Sequence, residues 1–143
     1  MGLAKLVSYY ERNFSGIAIR LGANIDLAAY GEGKAFNDDN GWIPIGCEYN
    51  PFNGTFDGNN KVIKNLFIND PDMDCVGLFG CVDNGTIKNL GVENINIIGK
   101  DRIGGITGTL DRKVILSKIK YMLHELIITV DDTVYKTLTL RIE

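Results

Sequence analysis

Ile63-Lys64-Asn65-Leu66 returns as Ile87-Lys88-Asn89-Leu90 twenty-four residues further along the chain. Gly77-Leu78-Phe79-Gly80 returns more loosely as Gly105-Ile106-Thr107-Gly108, offset by twenty-eight, and the extra residues fall in the connection from Asn96 to Arg102. Internal periods of roughly 20 to 50 residues mark stacked repeat architectures, in which one repeat cannot bury its apolar face alone and does so against its neighbours. One turn of a β-solenoid per repeat is the natural length. Equivalent side chains are therefore expected directly above one another.

Composition sharpens this reading. All 17 glycines, all fourteen asparagines and all three prolines lie at or before Gly108, and the stretch from Thr109 has none. Glycine and asparagine tolerate left-handed backbone at tight corners, so the first part of the chain turns often. Between these breaks lie apolar segments too short for helices. Val62, Lys64, Leu66 and Ile68 alternate with Ile63, Asn65 and Phe67, and Ile87, Asn89 and Gly91 alternate with Lys88, Leu90 and Val92; apolar residues in both sets suit a thin sheet. Stacked at strand spacing, about 4.8 Å, Asn65 and Asn89 would form an amide ladder of the kind found in cross-β assemblies. Alternatively, each serves its own turn. Leu66 over Leu90 and Ile63 over Ile87 would form apolar columns.

A solenoid exposes open sheet edges at both ends, so caps are expected. Leu3, Leu6, Val7 and Tyr10 recur at helical spacing, which predicts an amphipathic helix over Gly2 to Asn13. Ile17 to Leu21 and Ile25 to Leu27 read as strands. Asp111 to Ile115 can be laid on Asp83 to Ile87 as a degenerate turn, with Ser117 at the place of Asn89. Leu126 to Val130 and Val134 to Ile142, around Asp131-Asp132, read as an antiparallel hairpin, with Val134, Leu138, Leu140 and Ile142 on one face. The expectation is one all-β domain: residues 1–110 a short right-handed parallel β-helix with its N-terminal cap, 111–143 a degenerate last turn and capping hairpin.

Several classes are disfavoured. The net charge of −3 comes from 15 basic and 18 acidic residues scattered along the chain, so no concentrated positive field would attract nucleic acid. No segment approaches the roughly 18 apolar residues of a membrane span. The first residues lack the basic and apolar regions of a signal peptide. Cys47, Cys75 and Cys81 form no CxxC pair and have no neighbouring histidine, which makes them small buried hydrophobes in expectation. A Cys75–Cys81 bridge would span the Gly77-Leu78-Phe79-Gly80 turn and, with both residues on one turn of the solenoid, is expected to exceed disulfide reach.

The same residues resemble the GLUG-motif family, named for its Gly-Leu-any-Gly turn and found in bacterial surface adhesins and in N-terminal regions of immunoglobulin A1-type metallopeptidases. Gly77-Leu78-Phe79-Gly80 carries the turn. Ile25-Asp26-Leu27, Trp42-Ile43-Pro44-Ile45-Gly46 and Phe52-Asn53-Gly54-Thr55-Phe56-Asp57-Gly58-Asn59, followed by Ile63-Lys64-Asn65-Leu66, extend the resemblance over residues 3–108. It implies a right-handed parallel β-helix within a long exported protein, hence a cell-surface or secreted location and a host surface protein or glycan as partner. The array is short for the family, and the tail after Gly108 departs from its pattern; a natural mini-protein, an excised module or a frame truncated within its repeats would look the same.

The chain offers little for catalysis. His124-Glu125 begins like a zinc-protease helix, but Ile128 stands where the second histidine must be, and His124 is the only histidine. A peptidase centre of that kind is not expected, and no catalytic, cofactor or metal residues are assigned. Asp70, Asp72 and Asp74 could offer oxygens to a cation, but the glycine and closing glutamate of a calcium loop are missing; a solvated turn is the simpler reading, and the same holds for Asn37-Asp38-Asp39-Asn40. Carbohydrate-active β-helices use paired carboxylates. Asp57 and Asp83 are the candidates, although Asp57 belongs to a Phe56-Asp57-Gly58 corner where its carboxylate should bond turn amides. Trp42, Phe52, Phe56, Phe67 and Phe79 fit inward positions, whereas Tyr30 and Tyr49 could be exposed platforms. The expected function is a non-catalytic structural or adhesive module; the alternatives are a carbohydrate-active enzyme or glycan-binding module on the same fold, or a truncated repeat fragment.

Overall fold

The computed structural model describes residues 2–8, 14–111, 115–130 and 133–136. Almost all of it is strand, and the fold is all-β. A short helix, α1 (Gly2–Ser8), precedes β1 (Ala18–Arg20), β2 (Ile25–Asp26) and a single 3-10 turn (Ala28–Tyr30). Then come β3 (Thr55–Asn69), β4 (Asp74–Val76), β5 (Phe79–Asp83), β6 (Thr86–Gly99), β7 (Asp101–Ile103), β8 (Thr107–Asp111), β9 (Ile115–Val130) and β10 (Thr133–Lys136).

The strands pair in a repeating way. β1, β3, β6 and β9 lie side by side and parallel, β2 pairs with β3, and β10 closes the far side antiparallel to β9. β4 pairs with β7 and β5 with β8, both parallel. Isolated parallel bridges from Ile45 to Phe79 and from Phe52 to Val82 extend the β5 pairing toward the N-terminal side. Parallel partners need a long connection between them, and here the connections out of β3 and β6 themselves form the short strands of the other two sheets.

The register corrects the twenty-four-residue expectation. Lys61 faces Leu90, Ile63 faces Val92 and Leu66 faces Ile95, an offset of twenty-nine; before the irregularity between Asp57 and Lys61, Phe56 faces Ile87 at thirty-one. Leu66 therefore does not lie over Leu90, nor Ile63 over Ile87. The looser similarity is in register, since Phe79 pairs with Thr107 and Leu78 N–H donates to Gly105 O at 3.4 Å. Asp83 likewise pairs with Asp111, but beyond it the alignment slips by one, and Ile115 faces Thr86 rather than Ile87.

Simple alternation also fails, for a local reason. Ile63, Leu66 and Ile68 are buried while Val62 and Lys64 are not, so the inward phase changes at Asn65. Asn65 has φ 61°. A residue in the left-handed region bends the strand and lets apolar residues on both sides of it face inward. The same happens at Asn89 (φ 53°), between buried Ile87 and Leu90, and at Asn94 (φ 51°), between buried Val92 and Ile95.

The core forms between the sheets. Phe79 is fully buried and central, with ring centroids 5.3 Å from Phe52 and 5.2 Å from Phe56, the latter edge to face. Aromatic pairs at such spacing add about 0.5–1.5 kcal/mol each beyond area burial. Trp42 is buried too, and its indole N–H donates to Leu78 O at 3.1 Å, which satisfies the one polar group a buried tryptophan carries. At the N-terminal end, Ala4 and Val7 of α1 are buried against this core, with Leu3 partly so. The expected helix is observed over Gly2–Ser8; its continuation through residues 9–13 lies outside the described residues. The expected hairpin is observed between β9 and β10, and its remaining residues, 137–142, also lie outside them.

Candidate functional site

The residues singled out by repetition build two polar columns on the long parallel sheet. In the first, Asn65 Nδ2 donates to Asp26 Oδ1 at 2.7 Å, and Asn94 Nδ2 donates to Asn65 Oδ1 at 3.2 Å. In the second, Asn89 Nδ2 donates to Asp57 Oδ1 at 2.9 Å. Asn65 and Asn89 thus both belong to side-chain ladders, but to different ones. Every donor points toward the preceding strand, and each column ends there on a carboxylate.

Those carboxylates are held by more than the ladders. Asp57 Oδ1 also accepts the Asn59 N–H at 2.9 Å, the turn bond expected from its corner, and Asp26 Oδ1 accepts the Ala28 N–H at 2.9 Å. Both carboxyls are held below the ordinary 3.8. The first cause at Asp26 is the Asn65 amide and at Asp57 the Asn89 amide; backbone N–H groups come next, with Lys64 assisting Asp26 and Lys88 and Arg20 assisting Asp57. Along the register, Asp57 stands between Arg20 and Lys88, and Lys64 between Asp26 and Glu93, so charge alternates from strand to strand in both columns. Lys64 Nζ lies 3.4 Å from Asp26 Oδ2.

Phe56 and Gly58 flank Asp57 and are buried. A Cβ on Gly58 would sit 2.7 Å from Leu90 Cα, so only glycine allows β6 to approach there. Gly77 and Gly80 play the same part around Leu78 and Phe79, because a side chain would strike the Gly104 carbonyl at the first and the Gly46 carbonyl at the second. The Gly-Leu-Phe-Gly turn is thus a place of close chain approach with two buried side chains between its glycines.

The remaining candidates are dispersed. Asp83 lies on β5, paired with Asp111, and Asp57 on β3, paired with Lys88, so these two carboxylates belong to different sheets. Asp70 organises its own turn, accepting the Asp72 N–H at 3.3 Å on Oδ1 and the Met73 N–H at 3.1 Å on its carbonyl. Among the described residues, no three His, Cys, Asp or Glu side chains converge as metal ligands. His124 lies on β9, and nothing of its side chain is described. Phe52, Phe56, Phe79 and Trp42 are core, as expected, while Phe67 is half-buried. Tyr30 is no open platform: it is half-buried, packed on the core and edge-on to Phe36 at 4.9 Å. Tyr49, 90% exposed, is.

One cluster escaped sequence reasoning. Arg102 Nη2 lies 3.6 Å from Glu48 Oε2 and 3.8 Å from Asp74 Oδ2, and Arg102 Nε lies 3.9 Å from Asp101 Oδ2. The first cause of its raised pKa is the Cys75 sulfur, followed by the Glu48 and Asp74 carboxylates. Cys75 (φ 60°) and Cys81 are both buried and reduced, and Cys75 Sγ lies 3.4 Å from Thr109 Oγ1. Burial, and next a hydrogen bond with the Cys75 thiol, push the Cys81 thiol up to about 12. Cys81 is the register partner of the same Thr109, so both cysteines adjoin one residue of β8. The left-handed φ of a cysteine carries no sequence signal.

Comparison with known proteins gives partial likenesses. No family model matches the chain, and no solved structure matches it significantly. It is 40% identical over 93 residues to halomucin of Haloquadratum walsbyi, a stretch covering 64% of this chain and 1% of halomucin. It is 36% identical over 103 residues, 68% of the chain, to a protein of Evansella cellulosilytica named as a Gly-rich membrane protein, and covers 12% of it. The chain spans a small fraction of the length of both relatives. Among its own described residues no helix is long and apolar enough to cross a membrane.

Proposed function

We propose that the three sets of parallel strands are the faces of a short right-handed parallel β-helix of the GLUG-motif type, and that it serves as a non-catalytic structural or adhesive module of a cell-surface or secreted protein. The observation that carries this reading is the continuous parallel pairing of β1, β3, β6 and β9, with left-handed asparagines at corresponding places joined side chain to side chain. Such a stack is stiff, because each strand is bonded to the one before and the one after, and it holds intervening loops at fixed heights. The great length of both relatives and the membrane-protein name of one support a surface location.

Binding would be lateral and spread over several loops, with a host surface protein or a glycan as partner. Tyr49 and Glu48 form the loop best placed for it, since an exposed aromatic face stacks on sugar rings or apolar side chains. A glycan array and a panel of extracellular-matrix proteins, probed with the whole chain and with Tyr49→Ala, test the adhesive part. The reading expects a ligand whose signal falls at least tenfold in the variant. Absence of binding across both panels would leave the spacer role alone, and release of reducing ends from a polysaccharide would contradict the non-catalytic reading.

A further inference from the structure

We propose that Cys75 and Cys81 are a disulfide-forming pair, closed by exchange with a small-molecule disulfide, and that the bond staples β4 to β5 across the Gly77-Leu78 corner. Three features on different strands converge here. Cys75 adopts φ 60°, a left-handed region that ordinary side chains avoid, and is held there as a buried residue. Cys81 is the register partner of Thr109, whose hydroxyl lies 3.4 Å from Cys75 Sγ, so both cysteines adjoin one residue of β8. The chain also passes close between them, because a Cβ on Gly80, the residue before Cys81, would lie 2.7 Å from the Cys75 carbonyl oxygen. Cys47 is half-buried, starts a separate loop and takes no part in these contacts.

The chemistry closes with one named oxidant. A thiolate at Cys75 attacks one sulfur of oxidised glutathione, breaking its S–S bond and releasing one glutathione thiolate. The thiolate of Cys81 then attacks the Cys75 sulfur of the mixed disulfide, forming the Cys75–Cys81 bond and releasing the second glutathione. Two protein protons pass to the two glutathione thiolates, so two protein thiols are oxidised and one disulfide is reduced. The balance is the same when the two cysteines exchange roles.

The test equilibrates the whole reduced chain with oxidised and reduced glutathione at a series of ratios, traps free thiols by alkylation, and maps the products by mass spectrometry without reduction. The expected product is one intramolecular Cys75–Cys81 cross-link with Cys47 alkylated or singly glutathionylated. Cys47→Ser should give the same cross-link. Cys75→Ser and Cys81→Ser should give none, and the ratio needed to close the pair should be at least tenfold less oxidising in the folded chain than in urea. Separate glutathione adducts on Cys75 and Cys81, pairing of either with Cys47, or equal closure in folded and urea-unfolded chains would each overturn the proposal. The comparison with urea keeps the result interpretable even where a serine variant folds poorly.

Discussion

Asparagine is the ordinary residue that loses least in the left-handed region, because its short amide can bond locally. Asn65 uses this twice, bending β3 so that Ile63 and Leu66 both face inward and spending both ends of its amide on Asp26 and Asn94. Asn65→Ala removes both bonds and leaves a strained φ, and should lower unfolding free energy by about 1–3 kcal/mol; Asn65→Gly, which relieves the φ but loses the bonds, should cost less. Urea unfolding of the two variants checks the order. Acid should act on the same columns. The folded carboxyls of Asp26 and Asp57 lie below the ordinary 3.8, so their contribution is present above that pH and is lost as pH falls through the lower folded values. Stability should therefore be flat near neutrality and decline below about pH 4, and Asp57→Asn, which still offers an acceptor, should flatten that decline. An unchanged acid slope in Asp57→Asn would contradict the assignment. Gly58→Ala should destabilise strongly because its Cβ would meet Leu90 Cα at 2.7 Å, while Gly22→Ala, with nothing within 4 Å, should be close to neutral.

Within the long strands the recurring unit is an apolar residue, a polar one, a left-handed asparagine and a second apolar residue. Ile63-Lys64-Asn65-Leu66, Ile87-Lys88-Asn89-Leu90 and Val92-Glu93-Asn94-Ile95 all have it, with both apolar ends buried and all three asparagines at positive φ. The first two are identical in sequence yet occupy different places along their strands, and the true partner of the first is the third, whose lysine is replaced by glutamate. That substitution hid the match from a search for identity and also completes the alternation of charge from Asp26 through Lys64 to Glu93. Glu93→Lys should consequently place like charges on neighbouring strands and cost about 0.2–1 kcal/mol, less at high salt; a salt-independent loss would point to some other cause. The strand character, the start of the helix and the Gly-Leu-Phe-Gly pairing were legible because apolar spacing and glycine report local geometry, whereas the length of β3 and β6 was not, because asparagines that read as breaks lie inside them. The register was not, since the extra residues between Asp57 and Lys61, Gly58-Asn59-Asn60, read as one more corner although they lie inside a continuous strand. Nor was the thiol pair, which depends on one backbone angle.

At the scale of the molecule, each long strand is supported on both sides, and removing one should expose the next. A chain shortened after Gly108 loses most of β8 along with β9 and β10, leaving β6, fourteen residues long, with an open edge. Such an edge recruits other chains, so the shortened protein should self-associate in light scattering, whereas a monomer with an unchanged urea midpoint would show that the tail adds nothing to the fold. Core damage should likewise be felt throughout: Phe79→Ala, at the meeting point of Phe52 and Phe56, should cost about 3–5 kcal/mol. The account stands on the parallel register of β3 and β6, and methyl-selective nuclear Overhauser spectroscopy reads that register directly. It should connect Ile63 to Val92 and Leu66 to Ile95; contacts joining Ile63 to Ile87 and Leu66 to Leu90, without those two, would contradict it.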